Sequence, residues 1–106
     1  MINGISNNNS RPAFTGMSIR SIQNFIPDIS SELAEKVSVR LNKEMPKDHL
    51  SMMMKGGKTL THLVEIEGGQ KIPIGEVTYK GSSDSAEKIE FLYDIAELIK
   101  KGILYV

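Results

Sequence analysis

A chain of 106 residues has room for one ordinary domain and not for two. Its 40% hydrophobic and 25% charged residues fit a soluble globular protein and argue against a collagen-like repeat or a wholly disordered chain. Thirteen basic residues balance thirteen acidic ones, against a strongly basic nucleic-acid binder, and the lack of cysteine excludes disulfides, thiolate metal sites and thiol nucleophiles.

The first 16 residues, ending Asn7-Asn8-Asn9-Ser10-Arg11-Pro12-Ala13-Phe14-Thr15-Gly16, follow neither a helical nor a strand period. Their Asn, Ser, Gly and Pro bury little surface to offset the entropy of ordering, so residues 1–18 read as a flexible arm and 19–106 as one small domain. A cleaved secretory signal would need a basic start and an apolar stretch that are missing here. No window reaches the roughly 18 apolar residues of a membrane span. A cytoplasmic location is therefore expected, with leaderless export as the alternative. Ile19, Ile22, Phe25 and Ile26 are spaced as a short helical turn that docks back on the body.

From Pro27-Asp28 onward the pattern sharpens. Ser30 or Ser31 suits a helix N-cap, Glu32 and Glu35 suit its first turn, and Ile29, Leu33, Val37, Leu41 and Met45 line one face. Pro46 ends that helix. Residues 46–58 read as a connecting loop broken by Gly56-Gly57. Alternation over Thr59–Glu67 and Lys71–Lys80 predicts a β-hairpin in which a loop of three or five residues opposes Ile66 to Ile72, Val64 to Ile74 and Glu67 to Lys71. A bulge at Gly75-Glu76 then sets Val77 opposite His62 and Tyr79 opposite Leu60, and Pro73 marks the second strand as a sheet edge. Asp84-x-x-Glu87 opens a second helix with Ile89, Leu92, Ile95, Ala96 and Ile99 inward, closed by Gly102. Ile103–Val106, short and β-prone, are expected as a third strand beside the first. These elements predict an α+β fold: a small two-layer domain, helix–β-hairpin–helix, with both helices on one face of an antiparallel sheet.

The letters offer little chemistry. Gly57-Lys58-Thr59 matches the end of a phosphate-binding loop, but position 52 is methionine where that loop needs glycine, and a strand follows where it needs a helix. His49 and His62 are the only side chains suited to proton transfer at neutral pH. A small hydrolase using His49 with Asp48 or Ser51 is the enzymatic alternative, without any GxSxG-like turn to present a nucleophile. His62 falls on the core side as a hydrogen-bonded structural histidine. Neither HxxxH nor HExxH occurs, and no metal or cofactor is expected.

Two features point to binding rather than catalysis. Lys36, Arg40, Lys43 and Lys47 follow helical spacing and make a basic stripe extended by Lys55 and Lys58, answered by Glu90, Asp94 and Glu97 on the second helix. Met52, Met53 and Met54 are consecutive, so they cannot all share one face, and methionine adapts to irregular binding surfaces. A non-enzymatic protein-interaction domain, an adaptor or regulatory binding module, is expected, with a protein partner contacting this loop and stripe. A second copy can also pair with the exposed sheet edge. Weak binding of a nucleic-acid phosphate backbone by the stripe is the alternative, disfavoured because no aromatic residue lies between Phe25 and Tyr79 for base stacking.

Overall fold

The computed structural model describes residues 15–103 and shows a small α+β domain of three helices on a four-stranded mixed sheet. In chain order the elements are β1 (Gly16–Met17), α1 (Ile19–Phe25), α2 (Ser31–Glu44), β2 (Asp48–Ser51), β3 (Thr59–Glu65), β4 (Lys71–Thr78) and α3 (Ser85–Lys100).

Each helix starts on a side-chain acceptor that satisfies an otherwise orphaned backbone donor. Ser18 Oγ accepts from Ser21 N–H at 3.1 Å, Ser30 Oγ from Leu33 N–H at 3.2 Å, and Asp84 Oδ2 from Glu87 N–H at 3.1 Å. α2 stops before Met45-Pro46 as the proline requires. α3 closes on Gly102 at φ 71°, with Gly102 N–H donating to Ile99 O and Ile103 N–H to Leu98 O.

The strands lie in the order β1-β2-β3-β4, parallel between β1 and β2 and antiparallel elsewhere. Met17, Leu50, Leu60 and His62 are buried on one sheet face, against Ile22 and Phe25 of α1, Ala34, Val37 and Leu41 of α2, and Leu92, Ile95 and Ala96 of α3. His49, Thr61 and Leu63 on the other face are only half-buried, and Pro73 is exposed. Phe25 packs edge-on to Tyr79 at 5.5 Å and against Phe91 at 6.2 Å. Lys88, buried, donates from Nζ to Phe25 O at 3.0 Å and so caps the C-terminal end of α1. At the β4–α3 turn, Tyr79 OH donates to Ser82 O and Ser82 Oγ donates to Glu87 Oε1, both at 2.6 Å. That bond from Ser82 holds Glu87 below the usual carboxylate range, while burial and then the nearby Glu87 push the Tyr79 phenol up.

Several expectations need correction. The sheet is mixed and not purely antiparallel, because Gly16–Met17, assigned to the arm, pair in parallel with His49 and Leu50. Residues 46–58 are more than a loop: Asp48–Ser51 form β2, pairing with Thr61–Val64. The short turn at residue 19 is a third helix. The place beside β3 expected for a C-terminal strand is taken by β2, and residues 104–106 lie outside the described residues, as do 1–14 of the arm.

The hairpin register is shifted by two. Val64 opposes Ile72 and Leu63 opposes Pro73, while past a bulge at Ile74 His62 opposes Gly75 and Leu60 opposes Val77. A 3-10 turn at Glu67–Gly69 takes Ile66 out of the ladder, with Gly68 at φ 88° and Gly69 at φ 80°. The helices roof only the inner half of the hairpin. Ile66, Ile72 and Ile74 at its outer end are 40%, 37% and 45% exposed, where burial was expected.

Gly16 carries the parallel strand. Its φ is 74°, and a Cβ there would stand 2.5 Å from Asn42 Oδ1, 2.6 Å from Asn42 N and 2.7 Å from the carbonyl carbon of Leu41. Gly68 has the same left-handed backbone but open space around it. Gly68→Ala is expected to cost about 1 kcal/mol, the left-handed penalty alone, and Gly16→Ala at least about twice that, because α2 or β1 must also move. Urea unfolding of the two variants checks this; equal losses would show that β1 does not sit tightly on α2.

Candidate functional site

β2 decides the fate of the hydrolase constellation. Successive strand residues point to opposite faces, so Asp48 and Leu50 share the core face while His49 and Ser51 share the open one. The Asp48 carboxylate is engaged by His62, with Nε2···Oδ2 at 2.8 Å on a ring that is almost wholly buried. It therefore does not orient His49. Ser51 Oγ is aimed at Met53 Sδ, 3.7 Å away. His62 occupies the expected core position and is hydrogen-bonded there.

His49 sits beside Leu63 and Pro73 on the open face. Its Nδ1 is buried and makes no hydrogen bond among the described residues. Burial first, and the Lys71 ammonium on the same face second, hold its pKa below the ordinary 6.5. The phosphate-loop match fails on geometry: Lys58 precedes β3 directly, and no helix begins there. Among the described residues no group of three His, Asp or Glu converges as a metal site, and no helix is long and apolar enough to cross a membrane.

The three consecutive methionines divide. Met52 is 3% exposed and completes the core, whereas Met53 and Met54 stand 84% and 72% exposed. The turn that displays them is fixed to α1 at both ends. Met52 N–H donates to Ser21 Oγ at 3.2 Å, Asn24 Nδ2 donates to Met52 O at 2.8 Å, and Gly56 N–H donates to Asn24 O at 2.7 Å. Gly57 N–H closes the turn on Met54 O at 2.9 Å. Ser21 and Asn24 were not legible as loop anchors; the polar positions of a short helix carry no such signal.

The basic stripe is present, and Arg40 is the member of it that has a partner among the described residues. Lys36, Arg40 and Lys43 line a groove of about 500 Å³ on α2, together with exposed Val39 and with Glu32 and Glu35. Arg40 Nε donates to Glu44 Oε2 at 3.4 Å, and its guanidinium lies 3.9 Å over the Tyr93 ring of α3. Lys47 is exposed beyond the helix end, its carbonyl accepting from Glu65 N–H. The stripe thus lies on α2 and just past its end, while the methionine turn joins β2 to β3 and is fastened to α1.

β4 is the edge strand that Pro73 implied. Glu65 N–H donates to Lys47 O, toward β2, so the Glu65–Lys71 pair leaves the Lys71 backbone groups facing outward. Pro73 is the next outward residue and has no N–H to offer. The bulge at Ile74 follows directly. Lysine, proline and bulge thus follow one another along this edge.

Compared with protein-family models, with curated proteins and with solved structures, the chain matches none.

The lowered His49 pKa fixes a sign. The folded state binds this proton less readily than the unfolded chain, so the associated stability is complete above about pH 6.5 and is lost as pH falls through that value toward the folded pKa. Urea midpoints measured between about pH 7.5 and 5 are expected to fall more steeply for the intact chain than for His49→Gln, with His62 retained in both. Identical slopes would mean that His49 titrates as freely folded as unfolded.

Proposed function

We propose that the protein is a non-enzymatic protein-interaction domain whose contact surface centres on the Met53–Met54 turn. The observation that carries this is the division among the three methionines. The core uses Met52, while two large apolar side chains next to it are held in water by a turn anchored through Ser21 and Asn24. Solvated apolar groups gain nothing from exposure, and methionine's unbranched thioether suits a partner surface of irregular shape. Anchoring lowers the entropy lost on binding.

A second contact through Lys36, Arg40, Lys43 and Lys47 is favoured by the exposed Leu33 and Val39 beside them on α2. Arg40 already has partners in Glu44 and Tyr93, and Glu32 and Glu35 line the groove beside Lys36 and Lys43, so this contact ranks below the turn.

Replacing Met53 and Met54 by serine is expected to leave the unfolding free energy from urea titration within about 0.5 kcal/mol of the intact chain, as for surface sites generally. Met52→Ser should cost about 3 kcal/mol through lost packing. Affinity capture with quantitative mass spectrometry then compares the intact chain, Met53→Ser/Met54→Ser and Lys36→Glu/Arg40→Glu. Proteins retained by the intact chain and lost only with the double methionine variant support the turn. Retention unchanged by that variant would overturn it.

A further inference from the structure

We propose that the groove between α1 and the methionine turn binds an acidic segment of a partner protein, with Arg20 and Lys55 contacting its carboxylates. This deepens the interaction proposed above and rests on it. The groove has a volume of about 590 Å³ and is bordered by Ile19, Arg20, Gln23 and Asn24 of α1, Pro27 and Ile29 of the following connection, and Lys55 of the turn. Among the described residues Arg20 and Lys55 are its only charged lining residues, and no carboxylate lines it. Neither makes an ion pair among the described residues, which pair only Arg40 with Glu44, His62 with Asp48 and Lys101 with Glu97.

This sets the groove apart from the stripe on α2, where two glutamates line the same depression as the cations and Arg40 is already engaged. Two unpaired cations facing one groove call for anionic groups in the occupant, and a guanidinium offers a carboxylate two parallel donors. The apolar members complete the specification. Ile19 is exposed on the rim, Ile29 is half-buried, and Met53 and Met54 directly precede Lys55 in the chain. An occupant therefore needs apolar side chains beside its acids, which a peptide segment supplies and a phosphate backbone does not. Among the described residues no aromatic ring lines the groove for a nucleobase to stack on.

The test pans a phage-displayed library of short random peptides on the intact chain, then measures the enriched peptides by fluorescence anisotropy. Expected sequences combine Asp or Glu with Leu, Ile, Val or Met. They should bind Arg20→Glu/Lys55→Glu at least about tenfold more weakly than the intact chain and regain affinity when their acids are exchanged for lysine. Arg20→Gln/Lys55→Gln, milder and on exposed residues, should fall between. Peptides without acids, or equal affinity for the charge-reversed chain, would overturn the proposal.

Met53→Ser/Met54→Ser separates the two levels. Binding lost there but kept on charge reversal leaves the turn standing and removes the acidic partner. Binding lost on charge reversal alone keeps the groove and removes the turn. Vesicles of phosphatidylcholine with phosphatidylserine, and oligo-dT, are run alongside. Arg20- and Lys55-dependent binding to either, in place of peptides, would reassign the groove to a lipid surface or a nucleic acid. Concentration-dependent sedimentation abolished by Glu90→Lys/Asp94→Lys would reassign it to a second copy.

Discussion

Phe25 is the point at which three parts of this small domain are forced into one arrangement. Its ring is fully buried, edge-on to Tyr79 at the end of β4 and tilted against Phe91 of α3. Its carbonyl, an orphan acceptor at the end of α1, receives the Lys88 ammonium, which also lies over the same ring at 5.3 Å from its centroid. A seven-residue helix has too few hydrogen bonds to persist in water, so α1 exists because this aromatic cluster and Ile22 hold it. Where α1 sits is therefore a consequence of packing at one residue and not of helix propensity.

What α1 then does is positional. Its buried side, Ser21, Ile22 and Phe25, faces the core, and within the same two turns Ser21 and Asn24 fasten both ends of the methionine turn. The exposed side carries Ile19 and Arg20 to the groove. Core packing and the proposed contact surface are thus two sides of one short helix. The route runs from Phe25 through α1 to the turn, without passing through the histidines.

The two long helices were legible because each carried three agreeing signals: a capping side chain, an apolar stripe and a stop. Ser30, Asp84, Pro46 and Gly102 all act where the residue chemistry places them. β1 and β2 were not. Gly-Met and Asp-His-Leu-Ser are too short to show a period, and their pairing is dictated by neighbours distant in sequence. The hairpin register failed for a different reason. A slip of two residues keeps every side chain on its face, so apolar pattern cannot detect it, and the 3-10 turn at Glu67–Gly69 decides. Isoleucine pairs that looked worth burying are instead left at an outer end that no helix reaches. Among candidate site residues, the sequence indicated that three adjacent methionines must divide. Which of them stays outside depends on Ser21 and Asn24, and nothing in the letters links residues about thirty positions apart.

Amide hydrogen exchange on the full chain tests the anchored turn most directly. Met52 and Gly56 N–H each have an acceptor on α1, whereas Met54 and Lys55 N–H have none among the described residues. Expected is protection on the order of 100-fold or more at Met52 and Gly56, matching α1, with Met54 and Lys55 exchanging near the rate of an open chain. Fast exchange at all four positions while α1 stays protected would mean that the turn is not held, and that Met53 and Met54 are not presented to anything.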